Sequence, residues 1–437
     1  MDREALCRRL KSQMDQLVDE LFAADNPLKT IDDIEEAALC LRNKAGQRVA
    51  RELIQAAAAE AQDKEEATQK IACSCGRWAR HRGERAHDVV TMAGRLRVKR
   101  SYFYCRLCDK GSCPADASLG LSGGPFTRRV QQEVVRLDAL LPYEKAVDLL
   151  FDLTGVSVSA KEAQRLLGRA DAVVQSYQEG RWEVAATDLL GGKAAPEVLY
   201  LLADGVQTPI KGGWREMKIG VARRVGPGGK PLGPTRYVSH LGEAETFGWL
   251  WSGLAEGAGA ARARLVVVVG DGARWIWNQT QAHFPEAIQI LDQWHATERL
   301  WEVARLAFSE EGARQEWVRE RQGELCKYET EALLSGLTSL GEACPSAREK
   351  VLETVGYYQN NRERMNYPRY VELGLQVGSG AVESGCKQVV TQRLKGAGMR
   401  WCEAGAQTVA RLRCLLLGGE WHQFIRHWNQ PTIAQAF

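Results

Sequence analysis

Three acids stand where chemistry on a phosphate group is easy to arrange. Asp204 closes the apolar run Val198 to Asp204 (Val-Leu-Tyr-Leu-Leu-Ala-Asp), and Asp271 closes a second, Leu265 to Asp271 (Leu-Val-Val-Val-Val-Gly-Asp). Each acid is followed by a glycine, and the first run is preceded by Pro196. Runs of this length bounded by such breakers predict buried strands, here with a carboxylate at the tip. Glu383 lies in Gly378-Ser-Gly-Ala-Val-Glu-Ser-Gly-Cys-Lys387, a glycine-rich string that opens onto a helical pattern. Carboxylates brought together from separate elements suit a hard cation such as Mg²⁺, or two such ions roughly 3.5–4 Å apart that serve an in-line phosphoryl displacement. Any one of these acids alone reads as a cap or half of a salt bridge. The set of three, in this order and placement, points to a metal site.

A second group of residues has metal-ligand spacing. Cys73-Ser-Cys75 and Cys105-Arg-Leu-Cys108 are two close cysteine pairs separated by strand-like sequence, the layout of a zinc ribbon. The second pair has ordinary knuckle spacing, the first is tighter, and Cys113, His81 and His87 are spare candidates. The competing reading is reduced structural cysteines. Between Cys73 and Lys110 ten Lys/Arg face three acids, interleaved with Trp78, Tyr102, Phe103 and Tyr104. Arg97, Lys99 and Arg100, on the alternating stretch Leu96 to Tyr104, are the candidates for phosphate contact.

Elements that would position these groups follow in order. Residues 1 to about 70 read as two or three helices, with Leu6, Leu10, Met14, Leu17 and Leu21 at helical spacing, a break at Asn26-Pro27 and Thr30 as an N-cap. They serve packing or oligomerisation, or contact DNA. The cysteine module occupies 71–120. Within 121–178, Pro142 to Leu153 forms a helix with Ala146, Leu149, Leu150 and Leu153 on one face. Thr154 to Val158 turns, and Ser159 caps a second helix, 160–170. This fits a helix-turn-helix whose Lys161, Gln164 and Arg165 would face the major groove, or a plain helical hairpin. Gly180 to Pro196 reads as a linker. Beyond it, 196–437 reads as α/β. Strands at 198–204, 216–225 and 236–241 are joined closely, with 226–234 as a hairpin loop. A helix at 243–254, the strand ending at Asp271, a helix to Phe284 and a strand at 287–291 follow, and 296–370 is helical throughout. A mixed sheet with helices packed on it and a helical insertion is expected.

The order Asp, Asp, helical insertion, Glu resembles the RNase H-like DDE transposases. The local strings are similar to the ISKra4 family of bacterial insertion-sequence transposases: Ala203-Asp204-Gly205, Gly270-Asp271-Gly272-Ala273, Asp292-Gln-Trp-His295, Gly378 to Lys387, and Gly398-Met-Arg-Trp401. Asp292-x-x-His295 matches the C/DxxH signature of Mutator-like transposases. The likeness spans roughly 73 to 417 and includes the cysteine module. It implies that Asp204, Asp271 and Glu383 bind two Mg²⁺ or Mn²⁺, and that water cuts a phosphodiester at a transposon end. The freed 3′-hydroxyl then attacks target DNA. It also implies that Asp292 and His295 position DNA or the scissile phosphate, or brace the insertion. Lys387, one helical turn after Glu383, would contact phosphate or stay solvated. Arg400 and Trp401 would grip or stack on DNA, with Trp401 as core the alternative.

The 437 residues carry a net charge of only +3, so local charge and not the total is informative. No window approaches the roughly 18 apolar residues of a membrane span, and the N-terminus lacks a secretory layout. The expectation is a cytoplasmic, nucleoid-associated homo-oligomer on double-stranded DNA, without a membrane partner. Twelve cysteines in a reducing compartment favour metal or burial over disulfides. The alternatives are a non-catalytic or domesticated DNA-binding protein and an RNase H-like nuclease without strand transfer.

Overall fold

The computed structural model describes residues 3–23, 28–66, 69–121, 124–180 and 195–430. The break expected at Asn26-Pro27 and most of the 180–196 linker lie outside them. The architecture is mixed α/β with one antiparallel and one mixed sheet. The chain divides into two compact units, residues 1–169 with 429–437 and residues 170–428. The division falls inside the helix Ala160–Glu179, short of the expected linker.

In the first unit the N-terminal region forms two helices, Arg3–Ala23 and Ile31–Glu66. They run antiparallel, tied by Arg9 to Glu52 (3.0 Å) and Arg48 to Glu20 (2.7 Å). Thr30 caps the second helix as expected: its Oγ1 accepts the Asp33 N–H at 3.1 Å, and Asp33 accepts the Thr30 N–H at 2.9 Å. A four-stranded antiparallel sheet follows, β1 (Lys70–Ala72), β2 (Trp78–Thr91), β3 (Gly94–Cys105) and β4 (Lys110–Ser112), in sequence order. Along β3 Leu96 and Val98 are buried while Arg95, Arg97 and Lys99 are exposed, the period of two that a one-sided sheet demands. The helices Tyr143–Thr154 and Ala160–Glu179 are joined through Gly155 at φ 69°, which ends the first. On that first helix Ala146 and Leu150 are buried, but Leu149 and Leu153 of the expected apolar face are exposed.

In the second unit the sheet has the order β7-β6-β5-β8-β9. Here β5 is Val198–Ile210, β6 Gly213–Val225, β7 Arg236–Leu241, β8 Leu265–Gly270 and β9 Ile288–Leu291. β5, β6 and β7 are antiparallel neighbours, while β5, β8 and β9 are parallel. Val198 to Ala203 are all buried, as a central strand covered on both faces requires. One face carries the helix Ala244–Gly257: a Cβ on Gly220 would come within 2.8 Å of Trp251. The opposite face carries the helix Gly380–Cys386, which approaches so closely that a Cβ on Gly385 would lie 3.1 Å from Tyr237. Edge strand β7 is covered by the helix Glu403–Leu417, whose Gln407 accepts the Leu241 N–H at 2.5 Å and donates to the Ser239 carbonyl at 3.2 Å. Five α-helices follow between Gln293 and Glu372. No helix among the described residues is long and apolar enough to cross a membrane.

A second expectation changes. Asp204 is not at a strand tip, because β5 runs on to Ile210 and pairs residue by residue with β6 to a two-residue turn at Lys211-Gly212. Gly205 does not end the strand. A Cβ there would meet the end of the Glu216 side chain, Oε1 at 2.2 Å, which would have to swing aside.

Candidate functional site

The sheet brings Asp204 and Asp271 near each other, while among the described residues Glu383 has its possible ligand atoms within 4.8 Å of Asp292 and His295. β5 and β8 pair in parallel up to Leu202 opposite Val269; Asp204 lies two residues further along β5, Asp271 one residue beyond the end of β8, and the Asp271 charge acts on Asp204. Both fall on the sheet face that the Gly380–Cys386 helix covers, and Glu383 is exposed on that helix. Cys386, one turn after Glu383, donates its thiol to Asp204 Oδ2 at 3.4 Å. The thiol is buried, and desolvation followed by the Asp204 charge raises its pKa far above that of an ordinary cysteine.

Asp204 Oδ1 accepts the Gly205 N–H at 2.6 Å, and Asp271 Oδ1 accepts the Ala273 N–H at 2.9 Å. Burial lifts the Asp204 carboxyl above its usual range, the Gly205 N–H opposes this, and the neighbouring Asp271 charge adds to the rise. Among the described residues no Lys or Arg forms an ion pair with Asp204, Asp271 or Glu383. Adjacent like charges, partly desolvated and without a basic partner, are what a bound cation would resolve.

The DxxH string has a defined place. Asp292, fully buried, is the N-cap of the helix Gln293–Ala307 and accepts the His295 N–H through Oδ1 at 2.7 Å. Its Oδ2 accepts the N–H of Ser379, the N-cap residue of the Glu383 helix. Ser379 Oγ in turn donates to Glu383 Oε1 at 3.3 Å. His295 Nδ1 is 3.1 Å from Asp292 Oδ1. The Asp292 contact holds the imidazole pKa above its ordinary value against burial, with Asp271 and Asp204 adding to the rise. Burial opposes ionisation of Asp292, yet the His295 ring and N–H and the Ser379 side chain together keep its carboxyl low. Possible ligand atoms of Asp292, His295 and Glu383 lie within 4.8 Å of one another. Because both Asp292 oxygens already hold backbone N–H groups, Asp292 is built as the brace between two helices.

Tyr357 and Cys386 were not singled out from sequence as site residues. The Tyr357 hydroxyl donates to the Asp271 carbonyl at 2.8 Å, and its ring lies against Gly272. Cys386 was findable by its i+3 spacing from Glu383, whereas nothing local marks Tyr357. Lys387 is exposed at the end of the Glu383 helix, where a π-helical turn, Lys387–Thr391, begins. Arg413 holds the widened turn by donating to the Gln388 and Val389 carbonyls. Arg400 is exposed. Trp401 is 7% exposed, donates its indole N–H to the Leu394 carbonyl at 3.0 Å and pairs with β5, so it is packing and not a free stacking surface.

In the first unit the cysteines meet as expected. Cys73 and Cys108 sulfurs are 3.5 Å apart, Cys75 and Cys105 3.7 Å, and all four lie within 4.8 Å of one another. A tetrahedron with metal–sulfur bonds of about 2.3 Å has edges of about 3.8 Å. The set therefore fits one metal ion such as zinc. The Cys75 N–H and the Cys108 thiol pull Cys73 down to about 6, while Cys108 is pushed up to about 12 by that same contact. Cys113, His81 and His87 stand outside the cluster. Of the basic candidates, Lys99 is exposed, Arg97 is exposed but paired with Asp88 at 2.8 Å, and Arg100 is buried against Asp116. Arg100 follows Leu96 and Val98 inward by strand parity and is not a phosphate contact. Lys161, Gln164 and Arg165 all face outward on their helix, Arg165 in an ion pair with Glu162.

A family model described as Uncharacterised protein family (UPF0236) matches residues 33–430. The chain belongs to this family. The match takes in both units, the cysteine cluster and every acid of the second site. No curated protein matches the UPF0236 chain.

Proposed function

We propose that this chain is a DNA transposase of the DDE type, similar to the ISKra4 family, which cleaves phosphodiesters at transposon ends and joins the 3′-hydroxyls to target DNA. The observation that carries the reading is Asp204 on β5 with Asp271 just past the end of its parallel neighbour β8, and the Glu383 helix laid over the same face, where its Cys386 thiol meets Asp204. The strand order, three antiparallel strands followed by two parallel ones on the other side, supports an RNase H-like fold. Asp204, Asp271 and Glu383 are the residues that would hold Mg²⁺ or Mn²⁺, which supply charge neutralisation for an in-line displacement. Cys386 orients Asp204, and Asp292 fixes His295 and Glu383 relative to each other. His295, its charged form favoured by three acids, is suited to meet a phosphate. The cysteine cluster is proposed to hold zinc, and Lys99, Lys161, Gln164 and Arg165 to meet duplex DNA. Arg400 and Lys387 are proposed to contact it near the acids, with two or more chains acting together.

The test is incubation of the full chain with labelled duplex bearing the inverted repeats and a plasmid target in Mg²⁺. Joined products from the wild type and none from Asp271→Ala are expected. Cleavage without joining would favour a nuclease, and binding without either would favour a DNA-binding regulator. Activity surviving Asp271→Ala would overturn the acid assignment.

A further inference from the structure

Beyond the acids, the long β5–β6 hairpin and the loop after the Glu383 helix enclose a cavity of about 370 Å³. Its walls include Trp214, Lys395, Met399 and Arg400, with backbone at Gly396 and Gly398, and no acid among them. Trp214 is 64% exposed, and among the described residues its ring meets no other ring or cation. Lys395 and Arg400 make no ion pair with an acid among the described residues. An open indole face beside two cations unanswered by acids sets a flat apolar surface next to positive charge. A planar, anionic group satisfies both at once.

Placement ties the cavity to the acids. Trp214 pairs with Pro209, which lies five residues beyond Asp204 on β5, about 17 Å along the strand. That distance is about five base steps of a duplex. On the other wall, the loop leads directly from the π-helical turn that follows Glu383. By strand parity Trp214 lies on the sheet face opposite Asp204, so a strand lying on the acids would reach the cavity around the end of the β5–β6 hairpin.

We propose that this cavity is a nucleotide subsite, in which a base splayed out of a DNA strand stacks on Trp214 while its phosphate lies between Lys395 and Arg400. It rests on the reading of the chain as a DNA-processing protein but not on strand transfer. Stacking of a base on an aromatic ring contributes about 1–3 kcal/mol and tolerates any base, whereas cations read only the backbone.

The test is fluorescence anisotropy of a labelled single-stranded oligonucleotide, and of the same strand made abasic, with the full chain and no divalent cation. The wild type is expected to bind the normal strand more tightly. Trp214→Ala should weaken that binding by about 5- to 150-fold and leave the abasic strand unchanged, and Trp214→Phe should retain most of it. Lys395→Ala and Arg400→Ala should weaken both strands alike, each flattening the log–log salt dependence by about 0.7. Thermal melts of each variant, expected unchanged for an exposed tryptophan, check folding. Equal wild-type affinity for normal and abasic strands would overturn the subsite, as would a folded Trp214→Ala that loses nothing. Base-dependent binding by a chain that neither cuts nor joins DNA would uphold the subsite and overturn the transposase reading instead.

Discussion

Asp292 accepts the Ser379 N–H across 87 residues of sequence while its other oxygen caps the His295 helix, so one carboxylate fixes the start of both elements. Removing it leaves two buried N–H groups without an acceptor, each costing about 1–3 kcal/mol. Asp292→Ala is therefore expected to lose roughly 2–6 kcal/mol in urea unfolding, and Asp292→Asn less, since its amide oxygen keeps one acceptor. The imidazole gives a second readout. His295 is raised above 6.5 mainly by Asp292, so its contribution to stability is complete below the ordinary value and fades as pH rises through the higher folded one. In Asp292→Asn the imidazole titration followed by NMR should move down. An unmoved titration would show that Asp271 and Asp204 sustain the charge without Asp292.

Asp204 predicts a pH dependence of opposite cause. Its folded carboxyl sits above 3.8, so the unfolded chain loses its proton first, and stability declines as pH rises from about 4 through the raised folded value. Asp204→Asn should flatten that decline in urea midpoints measured without divalent cations, and saturating Mg²⁺ should flatten it in the wild type. Identical pH slopes for wild type and variant would remove Asp204 as the source. The same variant is expected to abolish DNA cleavage.

Much of this arrangement is legible in the chain because its strands are bounded by strong signals. Val198 to Asp204 and Leu265 to Asp271 are continuous apolar runs, and as buried parallel neighbours they align at their starts, Val198 opposite Leu265. The extension of β5 past Asp204 is hidden for a physical reason. Gly205 and Pro209 read as breakers, yet the first is a close approach to Glu216 and the second pairs with Trp214 near the hairpin turn. Arg100 shows the converse, since its charge suggested the surface although its parity with Leu96 and Val98 already placed it inside. Asp292 to Ser379 and Tyr357 to Asp271 are long-range contacts that leave no period or local motif to read.

The cysteine cluster predicts one metal ion per chain, because four sulfurs at tetrahedral spacing cannot stay close as thiolates without a cation between them. Metal analysis of the purified full chain is expected to find close to one zinc per chain, and Cys105→Ser to lose it. Stripping the ion with a chelator should unfold the β1–β4 sheet before the second unit, seen as early amide exchange across β2 and β3. A chain carrying no stoichiometric metal, with exchange there unchanged by chelator, would return these residues to plain structural thiols.

Gly272 separates two effects at the Asp271 turn. It holds φ at +101°, a region that side chains rarely adopt, and a Cβ would lie 2.4 Å from the Tyr357 ring. Gly272→Ala should therefore lose about 1–3 kcal/mol from backbone strain, together with the cost of displacing the ring. Tyr357→Phe keeps the ring but removes the hydroxyl that binds the Asp271 carbonyl, at about 1 kcal/mol. Combining Gly272→Ala with Tyr357→Ala relieves the clash and leaves the strain, so the double variant should be more stable than the sum of the two single losses, yet still short of Tyr357→Ala alone. If the two losses simply add, the ring does not press on this turn. If Gly272→Ala costs nothing beside Tyr357→Ala, crowding alone requires glycine there. In either single variant DNA cleavage should fall further than stability, because the turn that shifts is the one that aims Asp271 at Asp204.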